Sequence, residues 1–295
     1  MGAFSILNNI SGIYAQNQLT QNNVNLSRTL LRLSSGKRVN SGADDAAGLQ
    51  IADSLRANVS ALNQAVRNAN DGIGVAQIAD GALQQISNIL TRGVQLAEEA
   101  ATGTIDSTGR ASLHAEFIQI QSEIARIAEQ TNFNGMQIFT AAGANGSMHV
   151  FVGDTSALSS IAVTIRTITT GTSGTELTVT NLGGLPGGPV YDLTTVNLST
   201  AATAATALTT IKNALGNVST MRAEIGAGMN RLQSAVAIMQ SMAQNTQAAE
   251  STIRDANVAE EVANLTKYQI LAQSGIAALA QANGNSQLIL NLLKQ

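Results

Sequence analysis

The side chains able to do chemistry are few and poorly grouped. Asp44 and Asp45 are adjacent carboxylates, the residue type for general acid–base work, but sequence neighbours do not converge on one substrate. They stand instead where a helix N-terminus favours negative charge. Ser35-Gly36-Lys37 has the ending of a phosphate loop without its upstream glycine, and Arg38 occupies the Ser/Thr position. His114 and His149 are the only histidines, and neither lies in a His-Glu-x-x-His frame. There is no cysteine, which excludes a disulfide scaffold, a thiol nucleophile and thiolate metal sites. No catalytic, cofactor-binding or metal-binding residue is predicted, and no enzyme activity.

The composition points the same way. Of 295 residues only 12% are charged, about half the usual share of roughly 25%. Asn, Gln, Ser and Thr take the place of the missing charges. Such a surface suits burial against other protein, because an unpaired charge is costly to bury. The net charge of −3 argues against a nucleic-acid partner. No run of 18 apolar residues occurs, so no membrane span is expected. The first basic residue is Arg28, so the N-terminus does not read as a Sec-type leader, and export would need another machine.

These features must sit on elements, and the pattern gives three zones. Residues 1–140 are helical, 147–200 β-branched and Gly-rich, and 201–295 helical again. A first helix begins near Phe4, with Ile6, Ile10 and Ile13 on one seam and Leu19, Leu26, Leu30 and Leu33 on another. It stops at Ser34-Ser35-Gly36. A second helical stretch starts after Asp45 and breaks at Thr102-Gly103-Thr104; a third spans about Ser107 to Gln130, with Gly135 as its left-handed stop. His149–Val152, Ile161–Ile168 and Thr175–Thr180 read as strands.

The C-terminal pattern is the most regular. Val258, Val262, Leu265, Gln269, Ala272, Ile276, Leu279, Asn283, Ser286, Leu290 and Leu293 follow 4-3-4-3 spacing, and eight of these eleven are apolar. Such a heptad seam needs a partner helix. The first helix is the obvious one, so the two chain ends should pair as a terminal coiled coil of about 54 Å, with Asn283 as a polar register mark. The fold class predicted is mainly α with a small β region: an elongated helical hairpin with a terminal coiled coil and an α/β mantle.

Several ordered motifs then resemble one family. Leu30–Ala52 (LLRLSSGKRVNSGADDAAGLQIA), Asn68–Gln77 (NANDGIGVAQ), Glu129–Gly135 (EQTNFNG) and Val150–Gly153 (VFVG) are similar to bacterial flagellins. So are Ile253–Val262 (IRDANVAEEV), Ala280–Asn283 (AQAN) and Leu290–Leu293 (LNLL). The resemblance covers roughly residues 1–168 and 205–295. Flagellins often carry a Pro after the AQAN motif; Asn285-Ser286-Gln287 has none, so the last helix should run on unbroken. No metallopeptidase insert is present.

The resemblance implies a short flagellin: a terminal core at 1–44 and 254–295, a mantle at 45–168 and 205–253, and a short variable surface segment at 169–204. It implies a structural subunit that polymerises helically with its own copies into the filament used for swimming. It also implies export through the flagellar type III channel to the cell exterior. The partners it implies are an export chaperone, the filament cap and hook–filament junction proteins. Arg92, Leu96 and Glu116 align with residues read by a host innate receptor, although Gly93, Val94 and Gln95 depart from the strongly stimulating pattern. Two alternatives stay open on the sequence: a hook–filament junction protein, which shares the Ser-Gly-Lys-Arg-Val block, and an enzyme carried on a flagellin scaffold.

Overall fold

The structure, a computed structural model, describes residues 9–139, 147–152, 160–173, 176–182 and 192–292; side chains are described for these except 147, 169–173, 176–182 and 285–292. The chain forms helices α1 (Ile10–Ser35), α2 (Ala46–Ala101), α3 (Ser107–Gln130), α4 (Ala201–Arg254) and α5 (Val258–Leu292). Between α3 and α4 lie β1 (Asn132–Phe133), β2 (Met136–Gln137), β3 (Ser147–Phe151), β4 (Ser160–Thr164), β5 (Ile168–Ser173) and β6 (Glu176–Leu182). The strands pair antiparallel as three separate hairpins, β1–β2, β3–β4 and β5–β6.

Helix ends follow local chemistry. The Asp106 carboxylate accepts from Gly109 N at 2.8 Å and starts α3. The Asp45 carboxylate does the same for α2 through Gly48 N at 2.8 Å. Gly36, with φ at 68°, ends α1 in the left-handed conformation that L side chains rarely adopt. Gly135 is not the stop of α3. That helix ends at Thr131 in an extended conformation, and Asn134 and Gly135, both at positive φ, form the β1–β2 turn. The strand expected at 161–168 is two strands: β4 ends at Thr164, and Ile168 opens β5 by donating its N–H to Phe139 O at 3.0 Å. As expected from the missing Pro, α5 continues through Asn283-Gly284 to Leu292.

The chain divides into two compact units, one of residues 1–59 with 244–295 and one of residues 60–243. These limits fall inside α2 and α4, whereas the sequence places its boundaries where the helices break, at 44/45 and 253/254.

In the unit 60–243, α4 buries Ala204, Ala207, Ile211, Ala214, Val218, Met221, Ile225, Gly228 and Leu232 at alternating spacings of three and four. Leu83, Ile86, Leu90 and Leu96 of α2 and Phe117 and Ile124 of α3 complete the helical core. Each such side chain contributes about 1.5–3 kcal/mol on burial. Small residues set the spacing. A Cβ on Gly93 would come within 3.2 Å of the Phe117 ring, and one on Gly72 within 2.6 Å of Val150. Ion pairs tie the layers at their edges: Arg222 to Asp80 at 2.8 Å, and Arg166, beyond β4, to Glu224 of α4.

Candidate functional site

The unit formed by the two chain ends is built on α1 and α5. They run antiparallel: the Asn9 side chain donates to Ala282 O at 3.1 Å, and Arg32 meets Glu261 at 3.4 Å. Among the sheltered positions of α1, Gly12, Ala15, Leu19, Asn22, Leu26, Thr29 and Leu33 alternate by three and four, with Asn25 and Arg32 partly sheltered beside them. Leu19, Leu26 and Leu33 belong to the second seam read from the sequence. The first seam, through Ile10 and Ile13, is exposed.

On α5 the heptad seam is corrected by half. Leu265, Ala272 and Leu279 are partly sheltered. Leu279 lines the same groove as Ile13, Gln16 and Leu19 of α1. Ile276 and Val262 are not buried by the pairing; they remain 59% and 45% exposed. Glu261, Tyr268, Gly275 and Ala282 take the second inward position in their place. The reason is specific. Arg32 draws Glu261 inward as an ion partner, and Gly275 has room for Leu19, whose Cβ lies 3.9 Å from where a Gly275 Cβ would stand. Hydropathy alone places Ile276 inward and passes over a glycine and a carboxylate. Val258 is 56% exposed at the first residue of α5. By the Arg32–Glu261 register it stands level with Ser35, where α1 ends. Leu290 and Leu293 lie outside the residues whose side chains are described.

The pair therefore carries apolar residues that its own chain leaves uncovered. On α1 these include Ile10, Tyr14, Val24 and Leu31, and on α5 Val262, Ile270 and Ile276. Ile10, Val24 and Leu31 repeat at multiples of seven, so they share one face of α1, with the polar Asn17 between the first two. Apolar residues gathered on one exposed face suit a surface that meets other protein.

The linkers between the helices are ordered by polar contacts. Ser41 donates to the Asp44 carboxylate from its hydroxyl at 3.0 Å and its N–H at 3.1 Å, and Arg32 stands 3.9 Å from the other oxygen. The Ser41 hydroxyl first, then the backbone N–H groups of Ser41 and Asn40 and the Arg32 charge, hold this carboxyl below its ordinary value against some burial.

The three receptor-type residues lie in the unit 60–243. Arg92 on α2 and Glu116 on α3 form an exposed ion pair, the Arg92 Nε and Nη2 both donating to the one oxygen Glu116 Oε1 at 2.9 and 2.8 Å. Leu96 is 0% exposed. It belongs to the core against α3 and α4, which corrects its reading as a surface contact: one helical turn past Arg92 already points inward here. His114 is half-buried on α3 with Nδ1 lacking a hydrogen-bond partner among the described residues, and His149 is exposed on β3. Among the described residues no group of three His, Asp or Glu side chains could hold a metal ion. No described helix is long and apolar enough to cross a membrane.

Antiparallel terminal helices with an uncovered apolar face define a helical assembly subunit. A family model described as "Bacterial flagellin N-terminal helical region" matches residues 6–144, and one described as "Bacterial flagellin C-terminal helical region" matches residues 208–293. The chain is 40% identical to the flagellin of Xenorhabdus nematophila, over 98% of this chain and 99% of that protein. It is 35% identical to the flagellar filament 31.3 kDa core protein of Treponema maltophilum, over 98% and 99% of the two chains. Among solved structures, Bacillus cereus flagellin matches with a TM-score of 0.44 at 29% identity, covering 62% of this chain and 94% of that one. The chain belongs to the bacterial flagellins. It is a structural subunit of the flagellar filament, in a short form without a large variable domain.

Proposed function

We propose that this subunit polymerises by burying the exposed apolar faces of α1 and α5 against the terminal helices of neighbouring copies, within the swimming filament outside the cell. The observation that carries this reading is the set of large apolar residues left open on the terminal pair: Ile10, Tyr14 and Val24 with Val262, Ile270 and Ile276. Burying a face is what stabilises an amphipathic helix, and the chain itself covers only one side of each. In this reading residues 1–44 and 254–295 form the filament core, 45–168 and 205–253 the mantle, and 169–204 the outer surface segment. The subunit performs no catalysis and leaves the cell by the flagellar type III route.

The open face also suits an export chaperone, since an amphipathic helix can lie in a partner's groove before assembly. The filament cap and the hook–filament junction proteins would meet the same terminal helices at the two ends of the polymer. A host innate receptor would read the exposed Arg92–Glu116 pair without Leu96. The test is seeded polymerisation of purified subunit viewed by electron microscopy. Micrometre-long filaments are expected. Short caps or unextended seeds would overturn the reading and favour a junction-type protein.

A further inference from the structure

The terminal helices carry little charge, and most of it is matched within the chain. α1 holds Arg28 and Arg32 and no carboxylate; α5 holds Glu260, Glu261 and Lys267. Arg32 meets Glu261 at 3.4 Å, and the Lys267 ammonium stands 6.0 Å from the centre of the Tyr268 ring, within cation–π range. In the linkers, Lys37 and Asp255 face one another in an isolated antiparallel bridge. Arg38 N donates to Arg254 O at 2.7 Å and Ala256 N to Gly36 O at 3.0 Å to close it. Two charges of the terminal helices are left over. The side chains of Arg28 and Glu260 are exposed, and neither has an ion-pair or hydrogen-bond partner among the described residues.

Arg28 lies four residues after Val24 and three before Leu31, so it belongs to the exposed apolar face of α1. It also lines a polar cavity of about 130 Å³ together with Arg32, Glu261, Asn264 and Tyr268. Two guanidinium groups there stand against one carboxylate, and Arg32 Nε is buried without an acceptor among the described residues. An unbalanced positive charge beside an unsatisfied N–H is the chemistry that takes a carboxylate. The chain's own Glu260 does not supply it. By the Arg32–Glu261 register Glu260 stands level with Leu33, five positions or about 7.5 Å along the axis from Arg28.

A partner that covers the apolar face of α1 covers Arg28 with it, and a charge taken from water without a counter-charge is costly. A helical polymer brings unlike surfaces of successive copies together, so a cation of one copy can meet an anion of the next at every contact. Glu260 is the one carboxylate that α1 and α5 leave open for that role among the described residues. We infer that Arg28 of each subunit receives Glu260 of a neighbouring copy in the cavity beside Arg32. The inference rests on the polymerisation reading and deepens it: the apolar faces supply buried area, and this pair sets where one copy sits on the next.

Charge swaps in seeded polymerisation test it. Arg28→Glu and Glu260→Arg should each raise the critical concentration about tenfold or more, because each sets like charges together. An equal mixture of the two variants should return to within about threefold of wild type, because each variant carries the charge that the other lacks. A contact within one chain could not be repaired by mixing. Absence of rescue in the mixture, with wild type growing normally, would overturn the pair and leave the polymerisation reading standing. Wild-type subunits that fail to extend seeds would overturn both. Neutral variants give a second measure. Arg28→Gln and Glu260→Gln should each raise the critical concentration about three- to tenfold, and the double substitution no further than the larger single effect. Single effects that multiply in the double variant would equally overturn the pair.

Discussion

Ile276 separates the inner seam of the terminal pair from its outer face. A seam reading makes Ile276→Asp fatal to the coil within one chain. With Ile276 59% exposed, the single chain should tolerate the change, and the loss should appear only when copies meet. The magnitude follows from the exposed fraction. Full burial of an Ile side chain is worth about 1.5–3 kcal/mol, so covering the open three-fifths contributes about 1–2 kcal/mol per subunit. Ile276→Ala should therefore raise the critical concentration for seeded growth about 5- to 30-fold. Ile276→Asp, which would bury an unpaired charge, should abolish growth. Leu279→Asp, on the α1-facing side, should lower the helix content of the isolated subunit as well. Sedimentation of seeded filaments over a concentration series, with circular dichroism of the subunits, reads both quantities. An unchanged critical concentration for Ile276→Ala, or helix loss in Ile276→Asp subunits, would refute the assignment of inner and outer faces.

Three further outcomes are expected. Leu96→Ala should destabilise the unit 60–243 by about 2–5 kcal/mol, whereas Arg92→Ala, which breaks only an exposed pair, should cost at most about 1 kcal/mol; equal melting shifts would contradict the burial of Leu96. The Asp44 carboxyl is held below its ordinary value of 3.8, so its ionised form contributes stability at neutral pH that fades as the pH falls through its lowered pKa. The stability gap between wild type and Asp44→Asn should therefore close on acidification, and a gap that widens would reverse the sign. Limited proteolysis of the isolated subunit should cut within α1 and α5 before α2 and α4, with both terminal helices protected in the filament; termini as resistant as α2 and α4 would contradict the weaker burial of the terminal pair.

Much of the helical plan is local and so can be read without coordinates. The breaks at Gly36 and at Thr102-Gly103-Thr104, the carboxylate at the start of α2, and the unbroken course of α5 all follow from capping and backbone preference within a few residues. The periodicity at 258–293 likewise announces a helix that needs a partner. Periodicity does not say which of two adjacent faces that partner takes. Val262 and Ile276 outrank Glu261 and Gly275 on any hydropathy scale. Yet an arginine 229 residues away and the need to admit Leu19 turn the latter inward. The same limit explains Leu96, whose neighbours on α3 and α4 convert a helix-surface position into core. The bridge between Lys37 and Asp255 left no pattern at all, because two backbone hydrogen bonds between distant segments depend on where the chain returns rather than on which side chains it carries.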